Sequence, residues 1–287
     1  MIRVVVTGGG GQLAECLNSV AAEFPEINLV FFSYENLDIT KRKNISAVFD
    51  SEAPFDFCIN CAAYTAVDQA ENDEEAAHLV NTIAPALLAK ECKDRGITLI
   101  HISTDFVFSG TKNNPYREDD EANSISVYGK TKFQGEQAVL RELEQSFIIR
   151  TSWLYSEFGN NFVKTMLRLA NERSSLSVVN DQFGSPTYAI DLSRAILHII
   201  GSQSQDFGIY HFSNRGELTW YDFAAQIFKL NDSNIDLKPI SSHEYPTAAK
   251  RPTYSVLDTT KIEKTFGIEI KDWQESLKTM LTRKDGF

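Results

Sequence analysis

Tyr128-Gly-Lys-Thr-Lys132 sets a phenol and an ammonium four residues apart, on one face if the segment is helical. A neighbouring ammonium favours the phenolate and draws a tyrosine pKa down towards neutrality. Such a tyrosine gives a proton to a substrate oxygen, or takes one back, near neutral pH. Of the ten tyrosines, Tyr128 alone has lysine at i+4. Taken by itself, the pair is what the exposed face of any amphipathic helix would carry. Its weight comes from two companions. Ser103-Thr104-Asp105 follows an apolar run and offers a hydroxyl to a carbonyl oxygen shared with Tyr128, although these residue types also serve as turns and caps. Upstream, Ile2 to Thr7 breaks into four glycines and then into Gln12-Leu-Ala14, with Gly8, Gly11 and Ala14 three residues apart. A strand, a glycine turn and a helix start in that order form the usual seat of a dinucleotide pyrophosphate.

These groups need a scaffold that delivers them to one edge. The β-branched run at 2–7 reads as a buried parallel strand, and 28–33, 55–60, 97–103 and 147–151 are further strand candidates. Helical spacing at 12–24, 41–52, 73–95 and 127–144 alternates with them. The expected fold is α/β, a doubly wound parallel (Rossmann) sheet with a smaller C-terminal α/β substrate-binding lobe. Residues 1–155 form the expected dinucleotide-binding unit. Residues 156–287 are mainly the substrate lobe, with strand runs at 177–179 and 208–212, helices near 159–173, 189–201, 219–230 and 272–282, and some elements returning to the first sheet. Parallel sheets bind ligands beyond the carboxyl ends of their strands. That rule points to the glycine turn, Ser33, Ala62-Ala63, Ser103-Thr104-Asp105 and Ser152-Trp153.

At 287 residues, 43% hydrophobic and 23% charged, the chain can bury a core. No apolar run is long enough to span a membrane, and no secretory leader is expected before the first strand. A net charge of −11 without a basic patch argues against nucleic acid as a partner. Four cysteines are too few for a disulfide framework, and Cys58-Ile-Asn-Cys61 reads as buried reduced thiols rather than half a zinc site.

The assembled motifs make the chain recognisable. Thr7-Gly-x-x-Gly11, Asn60-Cys-Ala-Ala63, an edge threonine and Tyr-x-x-x-Lys resemble the extended short-chain dehydrogenase/reductase superfamily. Gly11-Gln-Leu13, Ala62-Ala-Tyr-Thr-Ala-Val-Asp68, Ser103-Thr-Asp-Phe-Val-Phe108, Arg150-Thr-Ser-Trp-Leu-Tyr155, Gly159-Asn-Asn-Phe162, Asn180-Asp-Gln-Phe-Gly-Ser-Pro-Thr187 and Arg251-Pro252 narrow it to the reductases of dTDP-linked 4-keto sugars. The resemblance implies that Gly8, Gly11, Gln12 and Leu13 lie along the pyrophosphate, with Ala62, Ala63 and Thr65 bordering the cofactor. It implies Thr104, Tyr128 and Lys132 as the catalytic set, with Lys132 also holding the nicotinamide ribose. Asp105 and Trp153 would touch the sugar of dTDP-4-dehydro-β-L-rhamnose, reduced at its 4-keto group to dTDP-L-rhamnose. Arg251 suits the substrate pyrophosphate on electrostatic grounds. Ser33 stands where an acidic residue would grip the adenosine ribose, and Asp38 is the nearest acid, so NADPH or NADH is expected. Relatives that hold magnesium use glutamates near Glu15 and Ile190-Asp191. With isoleucine at 190, no metal is expected. A cytoplasmic monomer or homodimer completes the expectation. Two rivals remain open: another nucleotide-sugar 4-ketoreductase, epimerase or dehydratase of the same superfamily, and a non-catalytic regulatory subunit with this fold.

Overall fold

Alternation within one strand decides the architecture. Val4 and Val6 of β1 (Ile2–Thr7) enter one hydrophobic core and Val5 enters another, so both faces of the strand are covered. The computed structural model describes residues 1–52 and 54–283. After β1 come α1 (Gln12–Val20), β2 (Ile27–Phe32), α2 (Arg42–Ser51), β3 (Phe57–Asn60), α3 (Val67–Ala70), α4 (Glu74–His78) and α5 (Ala84–Arg95). Next are β4 (Thr98–Thr104), α6 (Val127–Glu142), β5 (Ser146–Thr151), β6 (Leu154–Tyr155), α7 (Phe162–Glu172), β7 (Ser175–Val179), β8 (Phe183–Gly184) and β9 (Thr187–Tyr188). The chain continues through α8 (Ala189–Ser202), β10 (Gly208–Phe212), β11 (Leu218–Thr219), α9 (Trp220–Leu230), β12 (Asp236–Ile240), α10 (Thr260–Phe266) and α11 (Trp273–Thr282).

Six strands form the main sheet in the order β2–β1–β3–β4–β5–β10, every neighbouring pair parallel. Residues of α1, α7 and α8 fill the core on one face, and residues of α2, α5 and α6 fill the core on the other. This is the expected doubly wound α/β fold. From β1 the chain crosses first to β2 and then back to β3, and that reversal opens a crevice at their carboxyl ends. Thr7 donates its hydroxyl hydrogen to Asn60 Oδ1 at 2.7 Å and so ties the two strand ends at the crevice. Three two-stranded pairs, β7–β12, β8–β11 and β6–β9, lie beyond the main sheet. None of the described helices is long and apolar enough to cross a membrane.

Some boundaries differ from the sequence reading for local reasons. The helix expected over 12–24 ends at Val20 and closes with a tight turn, Ala21–Glu23. The helix expected over 73–95 is interrupted by a wide π turn at Leu79–Ile83. That turn carries Asn81, whose side chain accepts from Tyr64 N at 2.9 Å and donates to Tyr64 O at 3.1 Å, fastening the segment after β3. Strand β12 contains Pro239, which removes a ladder donor and hides the strand from sequence patterning.

Gly8 has φ +71, and a Cβ there would sit 2.8 Å from the backbone nitrogen of Ala62. Gly10 has a similar φ of +83 but open space around it. Gly8→Ala is therefore expected to destabilise the protein by about 1–3 kcal/mol, the cost of a strained backbone held against a close neighbour. Gly10→Ala should cost less. Urea denaturation of both variants checks the order, and equal losses would contradict it.

Candidate active site

Thr104 ends β4 and Tyr128 opens α6, and glycine lets the two elements touch. Ser126 caps α6, its Oγ accepting from Gly129 N at 3.2 Å. A Cβ on Gly129 would run into the carbonyl oxygen of Phe106, so the first turn of α6 lies directly on the segment after Thr104. The Phe106 ring meets Tyr128 edge-on at 5.6 Å. Thr104 accepts from Phe106 N at 3.2 Å and donates to Asp105 Oδ1 at 3.1 Å, so it caps a turn and also hydrogen-bonds Tyr128. On the next turn of α6, Lys132 is 2% exposed and donates to Ile102 O at 2.6 Å. Thr104, Tyr128 and Lys132 are thus brought together at the carboxyl end of the sheet.

The electrostatics correct one expectation. Burial lifts the Tyr128 phenol to about 12, Thr104 opposing through its hydrogen bond and the Asp105 charge adding to the rise. The phenol is therefore not drawn to neutrality, because burial outweighs any pull from the nearby ammonium. Burial also pulls Lys132 down to about 8, with Glu136 holding it up. Asp105 is raised to about 6 by burial. It is 2% exposed, and its Oδ2 has no hydrogen-bond partner.

Beyond Phe106 lies a cavity of about 830 Å³ whose lining includes Trp153, Phe162, Trp220, Gln182, Tyr245 and Arg251. Trp153 has φ +45, a left-handed backbone that is a strained outlier for so bulky a residue. Its ring stacks on Trp220 at 3.5 Å and 10°, with Phe162 leaning on Trp220 at 4.6 Å. Arg251 lies at the cavity but is bidentate on Asp68, with Nη2 to Oδ2 at 2.6 Å and Nη1 to Oδ1 at 3.1 Å. Asp68 also accepts from Ala249 N at 3.0 Å. Farther along, the Asp181 carboxylate accepts from the Ser242 backbone N–H and hydroxyl at 2.9–3.0 Å.

The glycine turn sits at the crevice. Gly10 and Gly11 are exposed, the first-turn amides of α1 have no intrahelical acceptors, and the room over Gly10 fits a pyrophosphate. The Leu13 side chain is buried in the core, so only its backbone can face a ligand. Gln12 accepts from Asn161 Nδ2 at 3.1 Å, joining the turn to the start of α7. Ala62 and Ala63 are half-buried and Thr65 is exposed, all after β3. At the end of β2 the acid on Ser33 is Glu35, which the Ser33 hydroxyl bonds and holds below the usual carboxylate range. Asp38, read as the nearest acid, lies farther along than Glu35 and is buried against Thr40 and Lys41.

Comparison with known proteins decides the family. A model described as RmlD substrate binding domain matches residues 2–285. The chain is 41% identical over 290 residues to a dTDP-4-dehydrorhamnose reductase of Aggregatibacter actinomycetemcomitans, covering 98% of each. It is 38% identical over 293 residues to the dTDP-4-dehydrorhamnose reductase of Escherichia coli, covering 98% of this chain and 97% of that one. The crystal structure of dTDP-4-dehydrorhamnose reductase from Bacillus anthracis in complex with NADP matches with a TM-score of 0.94 at 38% identity, over 98% of this chain and 99% of that one. The chain belongs to the dTDP-4-dehydrorhamnose reductase family.

Sequence reading overlooked several residues that this reductase gathers at the cavity. Trp220 was visible only as a member of an amphipathic helix and Phe162 only as the end of a quoted motif, although each stands in the first turn of its helix, just after a capping Thr219 or Asn161. Asp68 lay within a quoted motif without a role. Because the Asp68 clamp is partly exposed, it should govern the local opening of the loop over the cavity more than global stability. Asp68→Ala is expected to speed tryptic cleavage after Lys250 severalfold while leaving the melting temperature nearly unchanged. Unaltered cleavage would show that the clamp does not hold the loop.

Proposed function

We propose that this chain reduces the 4-keto group of dTDP-4-dehydro-β-L-rhamnose to give dTDP-L-rhamnose, using NADPH or NADH, as a cytoplasmic enzyme. The observation that carries this reading is the meeting of Thr104, Tyr128 and Lys132 at the open end of β4, beside a cavity walled by Trp153 and reached by Arg251. The names of the relatives supply the sugar and the nucleotide.

A bound NADPH or NADH supplies the hydride that reaches C4. The residues present fit such a group, since an exposed glycine turn and free helix-start amides suit a pyrophosphate. Gly8, Gly11, Gln12 and the Leu13 backbone would hold that end, with Ala62, Ala63 and Thr65 after β3 bordering the cofactor. Reduction leaves negative charge on the sugar oxygen, and Tyr128 Oη gives that oxygen a proton. A phenol lifted to about 12 is fully protonated at neutral pH, which is the form this direction of reaction requires. The Thr104 hydroxyl, once turned from Asp105 Oδ1 to the phenolate, eases the charge left on Tyr128. Lys132 keeps two donors free after its bond to Ile102 O, enough to orient a ribose and face the phenolate. Trp153 packs on the sugar, Asp105 backs Thr104, and Arg251 keeps its Nε for the substrate pyrophosphate while Asp68 holds its other end. Residues 156–287 serve mainly this sugar-nucleotide half.

One-to-one oxidation of NADPH on adding dTDP-4-dehydro-β-L-rhamnose is the expected result. An epimerase would return its cofactor unchanged, and a binding subunit would consume none. UDP- and GDP-linked analogues should react more slowly, and equal turnover of the GDP sugar would limit the reading to a general 4-ketoreductase. Tyr128→Phe should lower kcat about a hundredfold or more, as expected for losing a positioned acid, with a smaller change in KM. Both NADH and NADPH should support the reaction, and Ser33→Asp should tilt it towards NADH, because a carboxylate repels a 2′-phosphate. Retention of wild-type kcat by the phenylalanine variant would remove Tyr128 from the mechanism.

A further inference from the structure

Two polar side chains on successive turns of α6 dock it on the end of β4. Lys132 bonds Ile102 O, and four residues on Glu136 accepts from Ser103 Oγ at 2.5 Å. The next residue of the strand is Thr104. Glu136 is fully buried, and its remaining bonds go to Arg150 of β5, from Nε to Oε1 at 2.9 Å and from Nη2 to Oε2 at 2.7 Å. Arg150 stands opposite Ser103 in the β4–β5 register and is itself 2% exposed. Its Nη1 meets His211 Nε2 at 3.4 Å, and His211, held down to about 3 by burial and by Arg150, is neutral there. Removing a carboxylate and a guanidinium from water together stabilises a fold no better than apolar residues of the same size would. Stability alone does not call for this pair.

We propose that Glu136, held by Arg150, is a positioning residue for proton transfer: it sets α6 on β4 so that Tyr128 meets Thr104, and it keeps a negative charge one turn from Lys132. The proposal rests on the reductase reading above. The groups facing Lys132 are Glu136 on its own helix, Cys61 after β3 and His101 of β4, with Arg150 of β5 beyond Glu136. Burial raises the Cys61 thiol and keeps His101 neutral, so Glu136 supplies the one formal negative charge among them. It opposes the burial that draws Lys132 down to about 8.

Glu136→Gln alone strands the Arg150 charge in the interior, so the informative variant is the pair Glu136→Gln with Arg150→Met. It removes both charges together and is expected to melt near the wild type. Its kcat should fall about tenfold or more with the sugar KM within about twofold, the pattern of a lost transition-state alignment. The alkaline limb of its kcat/KM profile should move to lower pH by about one unit, because the Lys132 ammonium has lost its supporting charge. Ser103→Ala keeps both charges and cuts only the bond to β4, so it should lower kcat and leave the limb in place. A paired variant with wild-type kcat and an unmoved limb would overturn the proposal. If the pair does not fold, a Ser103→Ala enzyme with wild-type kcat overturns it instead. An inactive wild type in the same assay would point to the reductase reading itself, and active but unaltered variants to this proposal alone.

Discussion

The bond from the Lys132 ammonium to the Ile102 carbonyl holds the site together, and it does so from inside the protein. A lysine this buried is out of reach of water, so its charge depends on the few polar groups that face it. The carbonyl belongs to the last turn of pleat before Thr104, which means that the same contact fixes the helix carrying Tyr128 and the strand carrying Thr104. The rest of the fold serves this meeting. Parallel strands covered on both faces bring β4 to a common edge, and Gly129 removes the one side chain that would hold α6 away from it.

The same edge is finished by groups from the second half of the chain. The left-handed Trp153 turns its ring onto Trp220, and a strained backbone of this kind persists only where packing on several sides enforces it. Asp68, at the start of α3, grips Arg251 of the cavity lining and the Ala249 amide beside it. One carboxylate therefore joins α3 to the cavity lining, and a guanidinium already ordered by that carboxylate is presented to whatever enters.

Much of this was legible in the sequence because the informative signals are local. Strand–glycine turn–helix, Thr104 after an apolar run and Tyr128 four residues before Lys132 are short patterns with steric or electrostatic causes, and the main-sheet strands fell at the strand candidates. Four things were not legible. The direction of the Tyr128 shift depends on burial, which residue spacing does not report, and burial outweighs the nearby ammonium. Arg251 was placed at the substrate but its Asp68 partner lies 183 residues away. Asp38 was read as the nearest acid although Glu35 is the one that Ser33 bonds, and Thr40 and Lys41 occupy Asp38. Glu136, three turns into a helix, carries no local signal of its burial against Arg150, which lies on a different element.

The most direct test of the central contact is an NMR titration of the Lys132 ammonium in the free protein, assigned by comparison with Lys132→Met. A buried ammonium bonded to Ile102 O is expected to lose its proton near pH 8. A midpoint close to the ordinary 10.5 would mean that Lys132 is solvated, and that Tyr128 and Thr104 are aligned by something other than this bond.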